Sequence, residues 1–208
     1  MLIVQKYGGT SVGSYDRIRN VANRIKALLE EGHSVAVVVS AMGGVTDKLI
    51  AMAQEVCDDP PDREMDVLLS TGEQQSIALV TMALRQIGVE AVSITGRQAG
   101  MKTSGSHTRA RIAAIDPSLS RRYLEEGKVV IVAGFQGTNE EGLIQTLGLG
   151  DRTFPQSPLP RRLMRTCVRF SPMSTGYTPL TREWSLMRGS CRRFPMTNSL
   201  SLPRWAPR

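Results

Sequence analysis

LIVQKYGGTSVGS, residues 2–14, runs from an apolar stretch into a lysine, a glycine pair and then the first polar positions of a repeating pattern. The apolar part, LIVQKY at 2–7, predicts a strand buried on both faces. Beyond it Ile18, Val21, Ala22, Ile25, Leu28 and Leu29 recur at three- and four-residue steps, with Ser14 placed as N-cap and Gly32 as the terminal stop. SVAVVVS at 34–40 is a second β-branched run. The opening of the chain is therefore a strand, helix, strand unit.

The same alternation continues. Helical patterns occupy 45–57 and 63–87, divided by Pro60 and Pro61, and EAVSIT at 90–95 reads as a third strand. A short helix at 118–127, a strand in KVVIVAGF at 128–135 and a fifth strand in LIQTLG at 143–148 follow. Alternation of this kind predicts an α/β fold with a mostly parallel sheet covered by helices on both faces. Ligands of such sheets collect at the carboxyl ends of the strands.

Strand ends are where the glycines lie. Lys6 is followed by Tyr7, Gly8 and Gly9, a turn whose backbone can approach a phosphate closely while the next helix start adds partial positive charge. An ammonium there would stabilise charge on a phosphoryl group in transfer. The spacing is not that of a P-loop. The second strand ends alike, with Ser40, Gly43 and Gly44, and Thr46 opening a helix. Each turn also reads as a tight loop, the first with an exposed lysine and the second with Thr46 as helix cap. Glu73, in STGEQQS at 70–76, is either a carboxylate awaiting an ammonium or a solvated helix-face residue. AGFQG at 133–137 repeats the strand-end glycine theme. His33 and His107 have no partner pattern and read as surface or packing residues, and Cys57, Cys167 and Cys191 as reduced thiols without a metal or disulfide spacing.

Composition divides the chain. Residues 151–208 hold eleven arginines, no lysine and two acids, a charge of +9 that leaves the first 150 residues at −2 of the total +7. Eight of the eleven prolines and both tryptophans also fall after residue 150, where isoleucine is absent. No apolar stretch reaches the length of a membrane helix and LIV is short for a signal peptide, so a cytoplasmic protein without a membrane partner is expected.

KYGGTSVGS, VVVSAMGGVTDKL, REMDVLLSTGEQQSIAL, SITGRQAG and VVIVAGFQG, in this order and spacing, closely resemble the catalytic domain of the aspartokinases, within the amino-acid kinase superfamily. The resemblance covers residues 1 to about 148. It implies a three-layer αβα sandwich and ATP-dependent phosphorylation of the side-chain carboxylate of L-aspartate. By motif position, Lys6 would be catalytic and, with Tyr7, Gly8 and Gly9, would hold the ATP phosphates. Ser40, Thr46 and Glu73 would bind aspartate, Glu73 at its amino group. Mg²⁺ is implied as part of the ATP complex. A homo-oligomer is compatible with this reading, and no specific nucleic acid is expected.

The resemblance stops after the fifth strand. Where the family continues LGRGGSD, this chain has Leu147, Gly148, Leu149, Gly150 and Asp151, so that leucine replaces the arginine that meets the substrate carboxylate. MRTCVRF at 164–170 and FSPMSTGYT at 170–178 admit codons whose shifted frame reads DADVCEI and FTDVDGVY, which resembles the nucleotide-binding half of the family. Residues 149–208 are therefore expected to be an out-of-frame, Arg- and Pro-rich tail without fixed structure, and the chain to have little or no kinase activity. Two other readings remain: an α/β module whose arginine-rich arm binds nucleic acid, and a kinase for another amino acid.

Overall fold

The computed structural model describes residues 1–148 and the strand 166–170. Strand β1 (Leu2–Tyr7) leads into helix α1 (Tyr15–Glu30), and β2 (Ser34–Val39) lies parallel to β1 with Lys6 level with Val38 and Tyr7 with Val39. Ser14 is the N-cap of α1, its hydroxyl accepting the Arg17 N–H at 3.3 Å, and Gly32 follows the helix at φ 79°, a left-handed turn that glycine takes without a Cβ penalty. Ile18, Val21, Ala22 and Ile25 form the buried stripe of α1. Ile18, Val21 and Ile25 each contribute roughly 1.5–3 kcal/mol on leaving water, and Ala22 less.

Helices α2 (Val45–Val56) and α3 (Asp62–Gln86) follow, then β3 (Ala91–Ile94), helix α4 (Ser118–Glu125) and β6 (Val129–Ala133). Strand order in the main sheet is β3, β6, β2, β1 and then β9 (Thr166–Phe170), all neighbours parallel. Every residue of β6 is buried, as a strand covered on both faces requires. Alternate side chains serve two cores. Tyr7, Val35, Val37, Val39, Val129 and Ile131 pack with α1 and α3, while Val130 and Val132 pack with Ile94, Met101, Tyr123 and Leu124 on the other face. The αβα layering follows from this division.

Two features differ from the sequence reading. Strands β4 (Met101–Ser104), β5 (Arg111–Ile115), β7 (Gln136–Thr138) and β8 (Ile144–Thr146) make a second sheet in the order β5, β4, β7, β8, with β4–β5 and β7–β8 antiparallel. The strand expected at 143–148 thus belongs to this sheet, and β4, β5 and β7 were not expected. MKTS and QGT carry no apolar run, and the short IAAI run of β5 lies on a largely exposed strand, so its apolar residues do not mark a buried one. The second difference lies in the tail. The backbone of Thr166–Phe170 forms β9, pairing parallel with β1 from Leu2↔Thr166 to Lys6↔Phe170, where no order was expected. The outer edge of β1 would otherwise present unpaired N–H and C=O groups, and TCVRF mixes β-branched and aromatic residues that suit a strand. Apart from Thr166–Phe170, the expected tail and its arginine-rich arm, with Leu149, fall on residues outside those described. Among the described residues no helix is long and apolar enough to cross a membrane.

Candidate active site

Parallel pairing of β1 with β2, and of β2 with β6, brings three strand ends to one edge of the sheet. The turns that leave them are bonded together: the Ser40 N–H donates to Tyr7 O at 3.0 Å, the Gly43 N–H to Gly9 O at 3.1 Å and the Gly134 N–H to Val39 O at 2.9 Å. Glycine at position 9 is a steric necessity, since a Cβ there would lie 2.6 Å from Ala41 O. Gly8 is different. A Cβ on it would meet only Lys6 Nζ, at 3.8 Å, so the ammonium of the half-buried Lys6 stands beside an uncrowded turn. The two glycine turns are thus neighbours, joined by the Gly43 N–H bond to Gly9 O.

Tyr7 departs from its expected role. Its ring is 1% exposed in the core with α1 and α3, and its hydroxyl donates to Gln5 Oε1 at 2.9 Å. Burial raises the phenol's pKa. Strand alternation is the cause: adjacent residues point to opposite faces, so Lys6 and Tyr7 cannot both face the turn. Tyr7 reaches the crevice edge only through its carbonyl.

Ser40 is half-buried immediately after β2. Thr46 is also half-buried, at the second position of α2, and does not cap it; the N-cap is Gly44, at φ 78° and without a side-chain bond. Thr46 therefore keeps its hydroxyl free of the capping role.

Glu73 is the decisive side chain. It is 4% exposed, not solvated, and its Oε1 accepts the Ala41 N–H at 3.2 Å, while Oε2 is buried and has no hydrogen-bond partner. Close packing of α2 on α3 makes the contact, because Gly72 leaves room: a Cβ there would lie 3.0 Å from Ala41 Cβ. Desolvation dominates and pushes the carboxyl pKa up to about 7, against the lowering by the Ala41 N–H. A half-paired buried carboxylate beside a lysine-flanked glycine turn can receive a cation while phosphate oxygens sit on the turn.

The sequence reading missed two further parts. Phe135, in the turn after β6, takes φ 60°, unusual for a bulky residue and typical of functional turns. Asp66 is fully buried on α3, and His107 Nδ1 lies 2.6 Å from its Oδ2, so His107 does have a partner. The helical period could have found Asp66, which precedes Glu73 by two turns on an otherwise inward face that continues to Ile77, Val80 and Leu84. Nothing in the sequence announces the Phe135 conformation.

A family comparison bears on this arrangement: residues 1–154 match the amino acid kinase family. The chain belongs to that family. Among its relatives, the aspartokinase of Geobacillus stearothermophilus is 56% identical over 149 residues, covering 72% of this chain and 37% of that protein. This amino acid kinase chain thus spans well under half the length of the curated relatives it matches. Of solved structures, aspartate kinase from Synechocystis aligns with a TM-score of 0.60 at 47% identity, over 72% of this chain and 24% of that one. Escherichia coli aspartokinase III in complex with aspartate and ADP aligns with a TM-score of 0.59 at 25% identity, over 72% of this chain and 44% of that one.

Proposed function

We propose that residues 1–148 form the acceptor side and part of the phosphate side of an aspartate kinase, which transfers the γ-phosphoryl group of MgATP to the side-chain carboxylate of L-aspartate. A carboxylate oxygen of aspartate attacks the γ-phosphorus, the bond to the β-phosphate oxygen breaks, and 4-phospho-L-aspartate and ADP result. Lys6 Nζ and the backbone of Gly8 and Gly9 hold and polarise phosphate oxygens, and Mg²⁺ arrives with ATP and offsets their charge. Ser40 and Thr46 line the acceptor site. Glu73 takes the ammonium of the amino acid on Oε2 and thereby aims the far carboxylate at the glycine turns. No covalent intermediate with the protein is required, because positioning and charge stabilisation supply the catalysis.

The observation that carries the reading is the buried Glu73 Oε2 left without a partner beside the turns that Lys6 flanks. Support for aspartate as the acceptor comes from the aspartokinases among the relatives. Turnover by this chain is expected to be low, since Leu149 stands at the family's arginine position. Calorimetric titration of the full chain tests the acceptor: L-aspartate should bind and N-acetyl-L-aspartate, whose amine is neutral, should not. Preference for glutamate or acetylglutamate would make this a kinase for another amino acid. Ordinary turnover in a coupled ADP-release assay would overturn the low-activity part alone.

A further inference from the structure

Asp66 is assigned no substrate contact in the function proposed above, yet it is the most heavily bonded side chain in the described structure. Its carboxylate is 0% exposed. Oδ1 accepts from Thr146 Oγ1 at 2.5 Å and from the Thr108 N–H at 3.0 Å, and Oδ2 lies 3.1 Å from the same N–H and 2.6 Å from His107 Nδ1. The Thr108 N–H and the Thr146 hydroxyl donate to the carboxylate, and His107 Nδ1 is its third polar contact. Thr108 is held at φ 61°, a left-handed conformation costly for a β-branched residue that persists only where surroundings over-determine it.

The three contacts come from two parts of the second sheet, the β4–β5 loop and the end of β8. From that end a short path leads to the crevice. The Leu147 N–H donates to Phe135 O at 3.0 Å, and Gly134, before Phe135, donates to Val39 O beside Ser40. Gln136, after Phe135, donates from Nε2 to Ser70 O at 3.0 Å, one turn from Asp66 on the same helix. The left-handed Phe135 turn is thus suspended between β2 and a strand that Asp66 ties to α3, the helix that carries Glu73.

We propose that Asp66 is a positioning residue: by clamping Thr146, Thr108 and His107 to α3 it sets the Phe135 turn against the Ser40 and Glu73 side of the crevice. Charge-assisted bonds to a buried carboxylate are the strong kind, and removing the acceptor strands the Thr108 and Thr146 donors at once.

Residue-resolved amide hydrogen exchange on the full chain tests this with Asp66→Asn, which keeps size and removes charge. Exchange at Thr108, Leu147 and Gly148 should accelerate at least tenfold, with Val37 and Val80 unchanged. Unchanged exchange at those three amides, or an equal rise everywhere, would overturn the proposal. If Asp66→Asn does not fold, Thr146→Val, nearly equal in shape, is measured in the same way, and acceleration confined to Leu147 and Gly148 is the expected result. The ligand arm rests on the function proposed above: L-aspartate should bind at least fivefold more weakly to Asp66→Asn, with pyrophosphate unaffected. Failure of the unaltered chain to bind L-aspartate would sink the function and leave the exchange result to decide the clamp.

Discussion

Glu73 Oε1 accepts the Ala41 N–H at 3.2 Å across 32 residues of sequence, and this bond holds the β2–α2 turn against α3 while leaving Oε2 facing no partner. One oxygen is structural and the other is available. In the proposed function it is the unpartnered oxygen that takes the substrate's ammonium.

Its pH dependence has a definite sign. Burial pushes the folded carboxyl up from its ordinary 4.5 to about 7, so between those values the folded chain holds a proton that the unfolded chain has lost. The stability contributed by this group is complete below about 4.5 and falls as pH rises through about 7, by on the order of 3 kcal/mol at most. Glu73→Gln should flatten that part of the profile, measured as thermal midpoint from pH 5 to 8. Because an ammonium favours the ionised form, affinity for L-aspartate should rise with pH through the same window and be lost in Glu73→Gln.

Gly9 and Gly8 should behave oppositely when changed to alanine. Gly9→Ala drives a methyl into Ala41 O at 2.6 Å and should cost about 1–3 kcal/mol in chemical denaturation. Gly8→Ala meets only Lys6 Nζ at 3.8 Å, so stability should hold while pyrophosphate binding weakens as the methyl fills the cradle. Equal stability losses for the two variants would contradict the geometry.

Lys6→Met removes the ammonium and keeps the aliphatic stem. Pyrophosphate affinity should fall at least tenfold, with the thermal midpoint shifted by no more than a few degrees, since the residue is half-buried and forms no ion pair among the described residues.

Tyr7→Phe separates core from site. The buried hydroxyl and Gln5 Oε1 lose their shared bond, at a cost of about 1–2 kcal/mol. Phosphate binding should be unchanged. A loss of pyrophosphate affinity without loss of stability would return Tyr7 to the crevice.

Legibility followed the range of the forces involved. The main-sheet strands and the helices were readable, because Val35, Val37 and Val39, or Ile18, Val21 and Ile25, repeat with the periods of buried strands and half-buried helices. The glycine turns were readable since a close backbone approach excludes a side chain, as Gly9 against Ala41 O illustrates. The second sheet was not, because Met101–Ser104 and Gln136–Thr138 are short and gain their order from partners distant in the chain. Tyr7 was misassigned because neighbouring strand residues were given one destination.

Local pattern alone determined that this chain begins with a parallel α/β unit, that its strand ends carry glycine turns beside Lys6, and that its character changes near residue 150. Tertiary structure decided that Glu73 is buried with one free oxygen, that Tyr7 is core, that Asp66 and His107 meet, and that Thr166–Phe170 pairs with β1. The reason is physical. Periodicity records which face of an element leaves water, whereas desolvation of a carboxylate and the partner of a polar group depend on atoms that the fold brings from elsewhere.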